Sequence, residues 1–212
     1  MIPELSHREA EAMDAQVYAS MVTGDDYAEY AERTEAGPKA FNERIFNRRT
    51  AVVIREALEL SKAAGAEMDS LKRFLFYGKP LPDAMQAWWE SGSPVAISSE
   101  SDQGLAVTLA DLKIQRLLHV GAGLQTEASE FNDALFNHIF NGAPLDTVNL
   151  AEELGDSCWY IGIGCRVLGI TIIALLRNNI AKLFKRFRGK FCYERVSDRD
   201  LAGERAVLEN LK

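Results

Sequence analysis

The sequence predicts an all-α protein, a helical bundle that includes an antiparallel helix hairpin. Apolar residues recur mostly at helical spacing, alternating runs rich in β-branched residues are few, and only six of the 212 residues are prolines. Hydrophobic residues make up 47% of the chain and charged residues 26%, so a buried core is expected rather than global disorder.

Capping and turn signals divide the chain into its predicted helices. The first begins at Ser6, where Ser6 and Glu9 form a capping-box pattern, and it fades near Gly24. The helices predicted after it cover residues 26–33, 41–77, 109–140, 146–168, 170–187 and 197–211.

A polar stretch separates two predicted regions. Residues 91–104 are small and polar, which is typical of a loop or linker. Residues 1–107 are interpreted as an N-terminal helical region and residues 108–212 as a second helical region. We expect the two regions to unfold as one cooperative unit.

The sequence FYGKPL at 76–81 is echoed by FNGAPL at 140–145, at a separation of 64 residues. One interpretation is that the first segment is the turn of a degenerate copy of the later helix hairpin, a copy that has lost the acids of that hairpin. The alternative is that both segments are ordinary turns that end helices. The repeat interpretation predicts four core residues in the first copy: Leu58, Leu71, Phe74 and Trp88.

The charge balance and the cysteines restrict the class of protein. The formal net charge is −7, whereas proteins that bind nucleic acid usually present a basic surface. No nucleic-acid partner is therefore expected, and a phosphate-bearing ligand would need a cation as mediator. Cys158, Cys165 and Cys192 form no C-x-x-C pair, which favours reduced thiols in a cytoplasmic protein. Cys158 and Cys165 are predicted in the core.

Neither a leader nor a membrane span is expected from the apolar segments. The first residues contain no apolar stretch of the kind that signal peptides need. The most apolar run, 167–176, is too short to cross a bilayer and is interpreted as a buried helix.

Four acidic residues form two pairs with helical spacing. Glu127 and Glu130 lie three residues apart, and Glu153 and Asp156 repeat that spacing on the next predicted helix. The turn at 141–144 folds the two helices antiparallel. Because each residue adds about 1.5 Å of rise, the pairs lie within roughly 3 Å of the same level. The four carboxylates are therefore predicted to converge.

Converging carboxylates indicate a cation site. Their mutual repulsion raises their pKa values, and a divalent ion relieves it. An all-oxygen set without His or Cys suits Mg²⁺ or Mn²⁺. The alternative is a pair of solvated helix faces, which is the usual origin of an E-x-x-E pattern. The metal site is favoured by apolar residues at helical spacing around the acids: Leu124, Phe131, Leu135, Leu150, Leu154 and Trp159.

A basic helix face follows the acids. Asn179, Lys182 and Arg186 are spaced at i, i+3 and i+7 on the helix predicted over 170–187. An amide and two cations suit the oxygens of a phosphate group. The alternative is a basic helix end that complements the helix dipole. The nearby acidic pattern favours the phosphate-binding interpretation.

Together these residues resemble the MazG-type family of all-α NTP pyrophosphohydrolases, in particular its phage members. The family pattern of E-x-x-E, a spacer and E-x-x-D resembles the segments at 127–130 and 153–156, and an N-x-x-K-L-x-x-R element resembles 179–186. Segments at 27–34 and 198–205 are also similar. The likeness covers 26–34 and 108–211. The chain departs from the family in an apparent insertion at 35–107 and in Phe187, where many relatives have Tyr.

The resemblance implies a hydrolase that converts a (d)NTP and water to a (d)NMP and pyrophosphate, with Mg²⁺ or Mn²⁺ as cofactor. Glu130 or Glu152 is implied as the base that accepts the proton of the attacking water. The implied metal ligands are Glu127, Glu130, Glu153 and Asp156.

The resemblance also implies the partners of the chain. The triphosphate is the expected ligand, and Asn179, Lys182 and Arg186 are the implied phosphate contacts. Family members build the nucleotide site across a subunit interface, so a homodimer or a dimer of dimers is expected.

Two other functions stay open at the level of the sequence. One is a non-catalytic regulatory or antitoxin-like protein with a structural or nucleotide-sensing metal site. The other is a phosphoribosyl-ATP pyrophosphohydrolase. Trp88, Trp89 and Trp159 could stack on a nucleobase, although core positions are the favoured interpretation for each of them.

Overall fold

A computed structural model describes residues 5–22, 26–35, 48–91, 111–192 and 194–209. These ranges contain helices and turns and no strands, which confirms the predicted all-α class. The helices in the described ranges are α1 (His7–Ala12), α2 (Ala15–Met21), α3 (Tyr27–Thr34), α4 (Arg48–Tyr77), α5 (Asp83–Glu90), α6 (Leu112–Asn141), α7 (Thr147–Leu168), α8 (Ile172–Phe187), α9 (Glu194–Ser197) and α10 (Leu201–Glu209).

The helices fall into two compact units. The first unit contains α1–α3 and α8–α10, and the second contains α4–α7. This grouping does not follow the predicted division after residue 107, because α4 packs against α6 across that division. The predicted boundary itself falls in 92–110, outside the described residues. Cooperative unfolding of the chain stays a prediction.

Helix α8 lies at the centre of the first unit. Its buried residues Ile180, Ala181 and Phe184 pack with residues of α2 and α3. Tyr18 of α2 stacks on Phe184 with ring centroids 4.1 Å apart. The hydroxyl of Tyr30 in α3 donates to the carbonyl of Ile180 at 3.3 Å. The core of this unit therefore joins helices from the two ends of the chain.

Helix α6 lies at the centre of the second unit and packs against both α4 and α7. Lys62 contacts Asp133 at 2.6 Å, and the Tyr77 hydroxyl lies 3.1 Å from Nε2 of His119. These contacts show that α4 runs antiparallel to α6. Helix α7 follows α6 after the short connection 142–146 and packs back against it, which gives the predicted antiparallel hairpin.

The two longest helices have equal lengths and begin 64 residues apart. Helices α4 and α6 have 30 residues each, and α5 begins 64 residues before α7. Both long helices end at a glycine with positive φ, 63° at Gly78 and 71° at Gly142, a conformation that favours glycine. In both turns the next residue donates its N–H to the carbonyl six residues earlier, at 3.1 Å. The helix bounds thus match the repeat seen in the sequence, although α5 is much shorter than α7.

The close approach of α4 to α6 at Gly65 yields a stability prediction. A Cβ atom at Gly65 would overlap the side chain of Ser129, so Gly65→Ala is expected to lower the free energy of unfolding by about 2 kcal/mol. Gly121 of α6 has open space around it, and Gly121→Ala should raise stability by about 0.5–1 kcal/mol. Urea denaturation of both variants checks the pair. Equal effects of the two substitutions would contradict the proposed close packing.

Some predicted local features differ from the structure. The capping box of Ser6 and Glu9 is present, but the first predicted helix is split into α1 and α2. The split occurs because the Asp14 carboxylate accepts hydrogen bonds from the N–H groups of Gln16 and Val17 and starts a new helix. A local side-chain cap therefore overrides the continuous helical pattern.

Several core predictions are wrong. Leu71 and Trp159 are exposed, with relative accessibilities of 37% and 56%, because the helices turn other residues toward their neighbours. Leu154, predicted as an apolar neighbour of the acids, is also exposed, at 58%. Leu58 and Phe74 are half-buried. The side chains predicted in the core at Trp88 and Trp89 lie outside the described residues.

The cysteines are free thiols in the structure. Cys165 is buried as predicted, whereas Cys158 is exposed and its assignment to the core is wrong. No single helix within the described ranges is long and apolar enough to cross a membrane. One bent pair, Thr147–Leu168 and Ile172–Phe187, meets the combined requirement of length and apolar content only when its two helices are taken together.

Candidate metal centre

Three of the predicted metal ligands converge where α6 packs on α7. Carboxylate oxygens of Glu127, Glu130 and Glu153 lie within 4.8 Å of one another. Glu127 and Glu153 are buried, and Glu130 is exposed. The helical spacing of the first pair and the short connection between α6 and α7 account for this convergence. We refer to these three residues as the carboxylate cluster.

The two other acids predicted at this site lie outside the carboxylate cluster. Asp156 follows Glu153 by about one helical turn and is exposed, and Glu152 is also exposed. The negative charge of Asp156 does reach Tyr160, where it adds to the larger effect of burial in raising the pKa of that phenol. Among the described residues, the structure therefore brings together three of the four predicted ligands.

Burial and like charges raise the pKa values of two residues in the carboxylate cluster. Burial, followed by repulsion from Glu130 and an interaction with Glu127, raises the pKa of Glu153 to about 7. Burial and the charge of Glu127 also raise the pKa of Glu130, while Lys72 acts in the opposite direction. A divalent cation would relieve this repulsion, and three carboxylates suit a hard cation. The donor set thus fits Mg²⁺ or Mn²⁺.

A cleft of about 610 Å³ opens onto Glu130 and Glu153. Its volume lies within the range of about 300–1,000 Å³ that is usual for small-molecule sites. A smaller cleft of about 230 Å³ reaches Glu127 and Glu153. The larger cleft is lined mainly by α4, α6 and the start of α7, and its polar side chains include Lys62, Asp69, Thr126, Ser129, Asp133 and Asn149.

Sequence reasoning missed Lys72, a buried cation next to the carboxylate cluster. Its ammonium group donates to Thr126 Oγ1 at 2.8 Å and lies 3.6 Å from Glu127 Oε1. It also lies 3.4 Å from Asp69 Oδ1. Lys72 and Gly65 are seven residues apart and so share one face of α4. The helical spacing of Lys72 from Gly65, where α4 approaches α6 closely, is the sequence signal that could have placed Lys72 on the face toward α6.

The predicted phosphate contacts belong to the first unit, on α8. The guanidinium of Arg186 forms two hydrogen bonds with the buried carboxylate of Glu204 in α10, at 2.8 and 2.6 Å. Arg199 also donates to Glu204, at 2.7 Å. Because Arg186 is held in this two-point contact, the structure gives it a role in joining α8 to α10.

Asn179 and Lys182 differ from Arg186 in their contacts. Asn179 Oδ1 accepts a hydrogen bond from the Tyr27 hydroxyl at 3.1 Å. Lys182 is half-buried, and burial together with the nearby charge of Arg186 lowers its pKa. The prediction that these two residues bind phosphate stays a prediction.

Comparison of the chain with protein-family models, with curated proteins and with solved structures finds no match. The likeness to MazG-type enzymes therefore rests on the motifs of this sequence alone, and the geometry of the carboxylate cluster is the structural support for a candidate function.

Proposed function

We propose that the chain is a metal-dependent nucleoside triphosphate pyrophosphohydrolase of the MazG type, which converts a (d)NTP and water to a (d)NMP and pyrophosphate. The observation that carries this proposal is the convergence of Glu127, Glu130 and Glu153 next to the 610 Å³ cleft. A cation at the carboxylate cluster would give an acidic protein a means of binding a triphosphate.

The residues of the carboxylate cluster have distinct proposed roles. Glu127, Glu130 and Glu153 hold Mg²⁺ or Mn²⁺, with the exposed Asp156 as the proposed fourth ligand. When bound, the ion supplies charge neutralisation for the phosphates and lowers the pKa of water. Glu130 is exposed and lines the larger cleft, which suits a group that accepts a proton from the attacking water. Glu152 is the second proposed base.

The proposed phosphate contacts are Lys182 and Asn179. Arg186 was the third predicted contact, but its pairing with Glu204 favours a structural role. The proposed reaction therefore depends on the carboxylate cluster and does not require Arg186.

A homodimer or a dimer of dimers remains the proposed assembly. This proposal comes from the resemblance to MazG-type enzymes. Large apolar side chains are exposed on the second unit and would be available for such contacts. They include Val52, Val53, Leu60, Leu75, Leu118 and Trp159.

A nucleotide panel tests the proposed reaction. The common ribo- and deoxyribonucleoside triphosphates and phosphoribosyl-ATP are incubated with the chain and Mg²⁺, Mn²⁺ or EDTA, and pyrophosphate and orthophosphate are measured separately. We expect pyrophosphate from one or more (d)NTPs with metal and none with EDTA. Turnover of phosphoribosyl-ATP alone would identify the alternative enzyme. Metal binding without any turnover would favour the non-catalytic regulatory protein.

A further inference from the structure

Lys72 is the buried cation that α4 inserts next to the carboxylate cluster. Its side chain is only 9% exposed, and its ammonium group lies 5.6 Å from the centre of the Tyr160 ring. A buried lysine needs compensating partners. It finds them in Thr126, Asp69 and Glu127, at the distances given above.

Thr126 connects Lys72 to the cluster. The Thr126 hydroxyl accepts a hydrogen bond from Lys72, and its oxygen lies 2.9 Å from Glu127 Oε1 and 2.8 Å from the Gly123 carbonyl. One oxygen of Glu127 therefore faces Thr126 and Lys72. The same residue also belongs to the group of carboxylates that converges with Glu130 and Glu153.

The charges of this arrangement can be added. The ionised carboxylates of Glu127, Glu130 and Glu153 contribute −3 and Lys72 contributes +1, which leaves −2. The neighbouring Asp69 is balanced by Arg73, whose Nε lies 2.6 Å from Asp69 Oδ2. A net negative charge therefore remains to attract a divalent cation.

The 64-residue correspondence places this cation on α4, which has alanines where α6 has Glu127 and Glu130. Gly65 of α4 contacts its own counterpart, Ser129 of α6, so the two copies pair as equivalent helices do in a symmetric dimer. At a separation of 64, the positions of Glu127 and Glu130 correspond to Ala63 and Ala66. The position of Lys72 corresponds to Phe136 on the acidic copy. One copy thus supplies the carboxylates and the other supplies the cation.

We propose that Lys72 is a built-in counter-ion of the carboxylate cluster, which offsets part of its negative charge and competes with a bound divalent ion for Glu127. This inference rests on the proposed metal site. In this role Lys72 sets the affinity of the cluster for metal. The residue lies on α4, the helix of the same chain that packs against α6.

Binding of Mn²⁺ without nucleotide tests this role, with free Mn²⁺ measured by electron paramagnetic resonance. Wild type is expected to bind one Mn²⁺ per chain at the cluster. Lys72→Met should bind it about tenfold more tightly, because a repelling charge is gone, while its metal-free Tm falls because Glu127 loses a buried partner. Lys72→Arg keeps the positive charge and should bind Mn²⁺ with the affinity of wild type. Arg55→Met removes an exposed cation of α4 that pairs with Glu59, and it should leave Mn²⁺ affinity unchanged.

The outcomes separate this inference from the proposed function. Mn²⁺ affinity that is unchanged or weaker in Lys72→Met overturns the counter-ion role while the metal site stands. If wild type shows no Mn²⁺ binding that is lost in Glu153→Gln, the proposed metal site is overturned, and the counter-ion role with it. Lys72→Gln, which keeps a donor toward Thr126, provides the same comparison if Lys72→Met does not fold.

Discussion

Replacement of Glu130 by Gln is expected to lower kcat for pyrophosphate release by about a thousandfold or more, because it removes both a ligand charge and the proposed base. Glu153→Gln should cause a similar loss. Both variants should keep their helix content, and their metal-free Tm should rise slightly because repulsion within the carboxylate cluster is relieved. Steady-state kinetics with saturating Mg²⁺ and thermal unfolding in EDTA check the two expectations together.

A matched control separates the effect of the site from the effect of a lost charge. Glu67 is exposed on α4, and Glu67→Gln removes one negative charge from the same unit. It is expected to change neither kcat nor the metal-free Tm appreciably. Near-normal pyrophosphate release by both Glu130→Gln and Glu153→Gln would remove the carboxylate cluster from the mechanism.

The pair between Arg186 and Glu204 is expected to dominate the stability of the first unit. Glu204 is almost fully buried, and hydrogen bonds from Arg186, aided by Arg199, lower its pKa to about 2. Glu204→Gln leaves Arg186 without its charged partner, which should lower the free energy of unfolding by about 3 kcal/mol at pH 7. Urea denaturation at a series of pH values measures the effect.

The sign of the pH dependence follows from the lowered pKa of Glu204. Its stabilising contribution is complete above the ordinary glutamate pKa of about 4.3 and is lost as the pH falls toward 2. The difference between wild type and Glu204→Gln should therefore shrink below pH 4. Glu209→Gln breaks an exposed pair with Arg205 on the same helix and should cost less than about 1 kcal/mol. A pH-independent difference for Glu204→Gln would contradict the assigned ion pair.

The features that depend on neighbours along the chain could be predicted from the sequence. Helical periodicity gave the all-α class, and the turn after α6 gave the antiparallel hairpin that brings Glu127, Glu130 and Glu153 together. Asp156 shows the limit of spacing arguments. Residues three apart on a helix differ by about 60° in direction, so a small rotation of α7 is enough to leave Asp156 exposed while Glu153 is buried.

The features that depend on distant packing could not be predicted in the same way. Lys72 reaches the cluster only because α4 crosses α6 at Gly65, which is set by contacts between side chains far apart in sequence. Arg186 was placed on the correct helix, but its partner Glu204 lies 18 residues further along, on α10. Helical spacing predicts which side chains share one face of a helix, but it does not predict which residue of another helix they contact.

The position of a bound metal ion decides whether the carboxylate cluster is a metal site. Crystals of the chain soaked in Mn²⁺ and measured at a wavelength with strong Mn anomalous scattering would locate the ion without reference to activity. We expect an anomalous peak within about 2.0–2.4 Å of carboxylate oxygens of Glu127, Glu130 and Glu153, and its loss in Glu153→Gln. A fully ordered carboxylate cluster without a peak at saturating Mn²⁺, or a peak bound only by other residues, would contradict it.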